Sequence, residues 1–207
     1  MHRSFLALGD SYTIGEAVEP AEGWPVRLAA RLRARGIPVA DPEIIARTGW
    51  TTAELAAALE TATLRPPYRL VTLLIGVNDQ YRGLPPDDAY RRRFQALLDR
   101  AIDLAGDDPA RVLVLSIPDW SVTPFAAGRD RLRVAAEIDA FNAINEAAAR
   151  AAGAAWLDVT PISREAARDP ALIAPDGLHP SAAMYERWVE RARPLAEAIL
   201  RRAPAQP

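Results

Sequence analysis

Short runs of apolar residues alternate along the chain with longer segments in which apolar residues recur every three or four positions. The short runs are rich in β-forming residues and lie at 3–8, 42–47, 68–76, 111–118 and 154–160. The third and fourth runs are apolar almost throughout, which is typical of central strands in a parallel sheet that is covered on both faces. We therefore predict one strand in each run.

The longer segments have the period of amphipathic helices. In the segment 87–106, one helical face carries the apolar side chains of Phe94, Leu97, Leu98, Ala101 and Ile102. Gly106 ends that segment as a stop signal. Similar patterns lie at 24–35, 52–64, 132–152 and 180–201, and we expect Pro180 at the first position of the last helix. The repeated alternation of strand and helix predicts a doubly wound α/β sandwich with short right-handed crossovers.

The length and composition indicate one compact domain. The chain has 207 residues, of which 50% are hydrophobic, so it can bury one sizeable core. We predict a single domain over residues 1–202 and a frayed tail over 203–207. No internal repeat, low-complexity segment or linker interrupts this organisation.

The charge pattern argues against a polyanionic partner. The 25 basic residues, all arginine, are scattered among 27 acidic residues, and the formal net charge is -2. Such a pattern lacks the electrostatic footprint of a protein that binds nucleic acid or an anionic membrane. The first apolar run is too short for a signal peptide, and no span of 18 apolar residues exists. We expect a soluble, cytoplasmic protein without an integral membrane segment, whose oligomeric state the sequence leaves open.

The inventory of reactive side chains is small. The chain has no cysteine, which excludes disulfides, thiolate metal sites and cysteine nucleophiles. It also has no lysine and no G-x-G-x-x-G motif, so neither a P-loop nor a dinucleotide-binding fingerprint is present. The two histidines are His2 and His179. We predict neither a cofactor nor a metal.

Three short motifs follow three of the predicted strands. Ser11 stands in GDSYTIG, Gly49 in RTGWTT and Asn78 in GVNDQY. Because parallel α/β sheets bind ligands beyond the carboxyl ends of their strands, we expect these residues to meet at one edge. Each motif is also ordinary turn composition, in which Gly49 permits a positive φ angle and Asp79 caps its local backbone. We expect Asp10, beside Ser11, to brace the loop rather than to react.

His179 lies in PDGLHP, three residues after Asp176. Histidine has an unperturbed pKa of ~6.5, so it can accept and return a proton around neutral pH. The spacing lets the Asp176 carboxylate accept a hydrogen bond from Nδ1 of His179 while Nε2 points elsewhere, as in a serine–histidine–aspartate triad. An isolated D-x-x-H is more typical of an exposed turn at a helix entry, but its combination with Ser11, Gly49 and Asn78 in chain order favours the triad.

The order of these motifs resembles that of the GDSL hydrolases, also called the SGNH hydrolase superfamily, which includes bacterial lysophospholipase-like esterases. GDSY resembles the block around the nucleophile, GVND the G-x-N-D block and DGLH the D-x-x-H block, with Gly49 as the glycine of the second block. The resemblance spans residues 6–180, and the departure is Tyr12, where the name-giving motif has leucine. It implies a flavodoxin-like three-layer α/β/α sandwich whose parallel sheet has the strand order 2-1-3-4-5.

The resemblance further implies hydrolysis of esters, thioesters or acyl groups on sugars and lipids. The residue types suit Ser11 as nucleophile, His179 as base and Asp176 as the group that orients the imidazole. In the family, the oxyanion is bound by two backbone N–H groups and an asparagine side chain, which correspond here to Ser11, Gly49 and Asn78. We expect a serine esterase that acts on a small-molecule ester with a short acyl chain on a small or carbohydrate-like alcohol.

Aromatic and apolar residues near the motifs are candidates for the substrate pocket. The loop 118–131, after the fourth predicted strand, is long for this fold and contains Trp120 and Phe125. Four further candidates flank the motifs directly: Trp50, Gln80, Tyr81 and Leu178. Packing of the loop onto the domain is the alternative role for these side chains.

Other functions remain as alternatives. An acyltransferase uses the same triad but transfers the acyl group to another alcohol instead of water, so the sequence does not separate it from a hydrolase. A non-catalytic binding protein of the same fold is disfavoured because the four catalytic residue types are intact. A two-metal phosphoesterase built on Asp10, Asn78, Asp79 and His179 is disfavoured because such sites draw on several histidines.

Overall fold

The computed structural model describes residues 4–202, and within them one parallel sheet is formed. Its strands are β1 (Phe5–Gly9), β2 (Glu43–Ala46), β3 (Leu70–Leu74), β4 (Val112–Leu115) and β5 (Ala155–Leu157). They pair in the order β2-β1-β3-β4-β5, which confirms the expected order 2-1-3-4-5. Each strand overlaps one of the predicted apolar runs. His2 and the expected tail at 203–207 lie outside the described residues.

Burial of the central strands stabilises the sheet, and their pairing register sets where the strands end. Strands β1, β3 and β4 are buried along their whole length, whereas the edge strand β2 is half-buried. Burying each leucine or valine side chain contributes about 1.5–3 kcal/mol. Gly9 stands opposite Leu74 on one side and Ala46 on the other. The segments after β1, β2 and β3 therefore leave the sheet at the same level.

Helices occupy the five segments in which an amphipathic pattern was found, and shorter helices follow three of the strands. In chain order they are α1 (Ser11–Ile14), α2 (Trp24–Ala34), α3 (Thr52–Thr61), α4 (Val77–Tyr81), α5 (Asp88–Leu104), α6 (Arg131–Ala152), α7 (Thr160–Arg164) and α8 (Ala182–Arg201). The predicted boundaries of the five long helices agree to within three residues. Single 3₁₀ turns lie at Pro20–Glu22, Pro109–Arg111, Trp120–Val122, Pro124–Ala126, Glu165–Ala167 and Pro170–Leu172.

The helices cover both faces of the sheet, which confirms the three-layer sandwich. Helix α2 packs on α8, while α5 packs on both α3 and α6. The face of α8 that contacts the rest of the molecule buries Tyr185 and Trp188, while its other face is polar. Among the helices in residues 4–202, none is long and apolar enough to cross a membrane.

The entry to α8 differs from the expectation that Pro180 occupies the first helical position. Pro180 instead forms an antiparallel bridge with Ile173, and the N–H of Ala174 donates to the carbonyl of His179 at 2.8 Å. The helix begins at Ala182, and the Ser181 hydroxyl caps it by accepting from the N–H of Met184 at 3.3 Å. The prediction for Pro180 was wrong because the serine after it satisfies the first helical N–H groups better than a proline does. The bridge closes the turn that carries His179.

We expect Ser181→Ala to lower the free energy of unfolding by about 1 kcal/mol, because the substitution removes the helix cap. It also removes the hydrogen bond from the Ser181 hydroxyl to the carbonyl of Ala171, at 2.7 Å. Urea unfolding at neutral pH measures the loss. Ser181→Thr keeps a hydroxyl at the same place and serves as the control. Equal stabilities of the alanine and threonine variants would contradict the prediction.

Candidate active site

The loops after β1, β2, β3 and β4 and the turn before α8 surround one cavity of about 140 Å³ at the carboxyl edge of the sheet. Its lining residues are Ser11, Tyr12, Thr48, Gly49, Val77, Asn78, Tyr81, Trp120, Phe125, Leu178 and His179. Residues from opposite ends of the chain therefore face the same small volume. This arrangement follows from the parallel register, since each of those strands ends at the same edge.

Asp10 fixes the turn that places Ser11 at the end of β1. Asp10 caps α1 by accepting a hydrogen bond from the N–H of Tyr12 at 3.0 Å, so it braces this turn as expected. Ser11 is the first residue of that helix, where no helical carbonyl is available to its N–H. Within residues 4–202 the Ser11 hydroxyl makes no hydrogen bond. The hydroxyl faces the cavity without a protein partner.

The Asp176–His179 turn orients the imidazole. Oδ2 of Asp176 lies 2.5 Å from Nδ1 of His179, and Oδ1 accepts from the N–H groups of Leu178 and His179 at 3.0 Å each. Partial burial raises the pKa of Asp176, but the hydrogen bonds from the His179 ring and the two N–H groups outweigh it and hold that pKa below its usual value. An ionised carboxylate at this distance accepts from Nδ1–H, which leaves Nε2 as the ring nitrogen able to accept a proton.

Aromatic packing fixes the other side of the imidazole. The Tyr12 ring meets the His179 ring edge-on, with 5.6 Å between centroids. Trp188 of α8 lies 6.4 Å from Tyr12 and 5.2 Å from Tyr185. The His179 ring is thereby packed against a tyrosine that follows Ser11 and that is itself supported by the last helix.

The loop after β2 is fastened to α4. Gly49 has φ +83°, a conformation that residues with a side chain rarely adopt. A positive φ angle was one of the two roles that the sequence allowed for this glycine. Its carbonyl accepts from the Arg82 guanidinium at 2.5 Å. The Asn78 amide donates to the carbonyl of Trp50 at 2.9 Å. Because an amide NH₂ has two hydrogens, this bond leaves one donor of Asn78 for a ligand in the cavity.

Asp79 has a structural role, but not the one expected. Its two carboxylate oxygens accept from the N–H and the hydroxyl of Thr52, at 2.8 and 2.7 Å. The expectation that Asp79 caps its own turn was wrong, because the start of α3 lies close enough to supply better donors. Asp79 and Asn78 together connect the segment after β3 to the segment after β2 through these hydrogen bonds.

Gly76, just before α4, has no room for a side chain. A Cβ atom there would lie 2.3 Å from the Tyr90 hydroxyl, and its φ is +122°. A glycine is therefore needed for the chain to turn directly from β3 into the helix that carries Asn78. This accounts physically for the first residue of GVND.

Two acidic side chains are buried directly behind the cavity. Burial raises the pKa of Asp10 to about 8. The hydrogen bond from the N–H of Tyr12 lowers this pKa, whereas the nearby charge of Asp79 raises it further. Burial likewise raises the pKa of Asp79, although the bonds from Thr52 and the charge of Arg93 oppose it. Oδ2 of Asp10 has no hydrogen-bond partner among the described residues. A protonated Asp10 avoids placing an uncompensated charge under the turn that presents Ser11.

The residues predicted for the pocket divide into two groups. Tyr81, Trp120, Phe125 and Leu178 line the cavity. Trp50 and Gln80 do not, since Trp50 packs half-buried against the core and Gln80 lines a neighbouring cavity instead. The sequence analysis also missed three lining residues, each of which directly adjoins a motif residue: Tyr12, Thr48 and Val77.

Comparison with known sequences decides the family. The sequence model of the GDSL-like Lipase/Acylhydrolase family matches residues 7–187. The chain belongs to that family. It is therefore an ester-bond hydrolase, and the resemblance seen in GDSY, GVND and DGLH is confirmed.

Individual relatives are distant but match over most of their length. A GDSL lipase of Mycobacterium tuberculosis is 29% identical over 198 residues, which cover 91% of this chain and 79% of that protein. The crystal structure of AlinE4, an SGNH-hydrolase family esterase, is 25% identical with a TM-score of 0.63 and covers 98% of both chains. An acetylxylan esterase from Geobacillus stearothermophilus is 17% identical with a TM-score of 0.68, covering 97% of this hydrolase and 95% of that chain. The last likeness concerns the fold.

The raised pKa of Asp10 predicts that this hydrolase loses stability as the pH rises from about 4 to about 8. In that window the folded state holds a proton that the unfolded state has released, so the free energy of unfolding falls by up to ~1.4 kcal/mol per pH unit. Asp10→Asn still accepts from the N–H of Tyr12 but does not ionise, and its stability should depend less steeply on pH. Denaturant unfolding between pH 5 and 8 measures both slopes. The exposed Asp88→Asn variant is the control, and equal slopes for wild type and Asp10→Asn would refute the prediction.

Proposed function

We propose that this hydrolase cleaves carboxylic esters through an acyl-enzyme on Ser11, with His179 as general base and acid and Asp176 as the orienting carboxylate. The observation that carries the proposal is the 2.5 Å contact between Asp176 Oδ2 and His179 Nδ1, made beside a cavity that Ser11 also lines. The free hydroxyl of Ser11 and the open Nε2 of His179 are the two groups that the reaction requires.

The reaction has two matched halves. Nε2 of His179 takes the proton of Ser11 Oγ while the oxygen bonds to the ester carbonyl carbon. The tetrahedral intermediate then expels the alcohol, which receives that proton from His179, and an acyl ester remains on Ser11. Water attacks this ester in the same way, gives its proton to Nε2, and releases the acid with Ser11 Oγ reprotonated. Asp176 stays ionised throughout and stabilises the imidazolium.

The oxyanion is bound by the backbone N–H groups of Ser11 and Gly49 and by the free amide hydrogen of Asn78. Donors of this kind are worth ~3 kcal/mol each when they are preorganised where charge develops. The fastening of this loop supports that role. Asn78 is fixed by the carbonyl of Trp50, and Gly49 by the guanidinium of Arg82. These donors need little reorganisation when the negative charge forms.

The size and lining of the cavity support a short acyl group. Its volume is about 140 Å³, and Val77, Phe125 and Leu178 supply apolar walls. An apolar cavity of roughly 150 Å³ accommodates a benzene ring, whereas sites for drug-sized ligands run to roughly 300–1,000 Å³. An acetyl or butyryl group fits such a volume, but a long fatty-acyl chain would extend into solvent. We propose esters of short acids with small or carbohydrate-like alcohols as substrates.

Ser11→Ala should abolish ester hydrolysis and labelling by a fluorophosphonate, because the nucleophilic oxygen is removed. Asn78→Ala should lower kcat by roughly a hundredfold to a thousandfold yet keep the labelling, because it removes a donor but not the nucleophile. Steady-state kinetics on p-nitrophenyl acetate and mass spectrometry of the labelled protein give the two readouts. A Ser11→Ala variant that still turns over ester or becomes labelled would exclude this mechanism.

We expect kcat/KM for p-nitrophenyl acetate and butyrate to exceed that for the octanoate, because the cavity holds only a short chain. The free acid and any transferred ester should be quantified together in the presence of an added alcohol. Release of acid as the main product supports hydrolysis, whereas dominant transfer identifies an acyltransferase that uses the same residues. Fastest turnover of the octanoate would contradict the assignment of a short acyl group.

A further inference from the structure

A second, larger cavity of about 450 Å³ adjoins the first. Its walls come from the segment 80–86, from Trp120, and from the segment 129–137 that leads into α6. Tyr81 and Trp120 line both cavities, and their rings meet edge-on with 5.6 Å between centroids. A ligand that occupies both cavities would therefore pass over this pair of rings.

The shared wall is held by a relay of hydrogen bonds. Nε1 of Trp120 donates to the Gln80 amide oxygen at 2.9 Å, and the Gln80 amide nitrogen donates to Glu137 at 2.7 Å. Arg133 donates to the other oxygen of Glu137 at 2.8 Å. These bonds fix the position of Trp120 and present an ionised acceptor, Glu137, on the side of the second cavity.

The polar groups of the second cavity are mixed in sign. Its lining contains two arginines, Arg129 and Arg133, and two acids, Asp130 and Glu137, so its formal charges cancel. The Arg129 guanidinium lies 5.7 Å from the centroid of the Tyr81 ring. Within residues 4–202, that guanidinium makes no hydrogen bond or ion pair. It offers unoccupied donors to the second cavity, which the acceptor Glu137 also lines.

We infer that the second cavity binds the alcohol portion of the substrate ester, and that this portion is a neutral, hydroxyl-rich compound such as a sugar. The inference rests on the function proposed above. A hydroxyl group both donates and accepts, so Glu137 and Arg129 can satisfy neighbouring hydroxyls of one ring. The Tyr81 side chain, which is exposed and lines both cavities, supplies an apolar contact for the carbon atoms of such a ring.

The alternative occupants fit the cavity less well. A long acyl chain there would take the unpaired Arg129 guanidinium out of water without giving it a partner, which is costly. An alcohol that carries phosphate would meet Asp130 and Glu137 as well as the two arginines, so it would gain no net attraction. The charges therefore favour an uncharged polar ligand.

The experiment compares two acetate esters whose alcohols are rings of similar size: a mono-acetylated methyl glucoside and cyclohexyl acetate. We expect kcat/KM of the wild type to be higher for the sugar ester. Arg129→Ala and Glu137→Gln should each lower the ratio of the two kcat/KM values by about tenfold, the equivalent of ~1.4 kcal/mol, mainly through KM for the sugar ester. Arg168→Ala changes an exposed arginine that lines neither cavity, and its ratio should match the wild type.

The remaining outcomes distinguish a failure of this inference from a failure of the proposed ester hydrolysis. A wild type without preference for the sugar ester, or a ratio that neither variant changes, overturns the inference but leaves the proposed ester hydrolysis intact. Failure of the wild type to cleave either ester overturns both. Faster cleavage of p-nitrophenyl octanoate by Arg129→Ala assigns the second cavity to the acyl chain instead. Because Arg129 is exposed, its variant should unfold at the same denaturant concentration as the wild type, which separates a binding defect from a folding defect.

Discussion

The pairing register of β1 with β2 and β3 is the constraint on which the rest of this site depends. Gly9 lies level with Ala46 and with Leu74, so three loops begin at one edge of a rigid, buried sheet. Both faces of β1 and β3 are packed, so a shift of one residue in their pairing would disrupt the close packing of side chains on both sides of the sheet. Such a shift is therefore strongly disfavoured. The positions of Ser11, Gly49 and Asn78 relative to one another follow from this packing.

Side-chain hydrogen bonds then fix the positions of the loops that begin at this edge of the sheet. Asp79 binds the start of α3, Asn78 binds the carbonyl of Trp50, and Arg82 binds the carbonyl of Gly49. All three residues belong to α4 or follow it directly. The segment after β2 is thus positioned by the segment after β3. Preorganisation of this kind is what the proposed oxyanion site needs, since donors that must first move stabilise a developing charge less well.

The last helix performs the corresponding task for the imidazole. The Ile173–Pro180 bridge closes the turn, Ser181 caps α8, and Trp188 supports Tyr12, whose ring contacts His179. The residue proposed as base is therefore coupled to the residue after the proposed nucleophile through packing rather than through sequence proximity. Beyond it, the Tyr81–Trp120 pair separates a small apolar cavity from a larger polar one. In the proposed reaction, this division would give the acyl and alcohol halves of the ester different surroundings.

The apolar pattern of the sequence predicted the five strands, the five long helices and their layering, because short apolar runs and apolar spacing of three to four residues both reflect burial directly. The motif words GDSY, GVND and DGLH indicated the family, and with it the strand order. Tertiary structure alone decided the roles of Asp79, Trp50 and Gln80 and the position of Pro180. The roles of Asp79 and Gln80 depend on partners distant along the chain, Thr52 and Glu137. A local sequence pattern does not show which distant group will lie close enough to form a hydrogen bond in place of water.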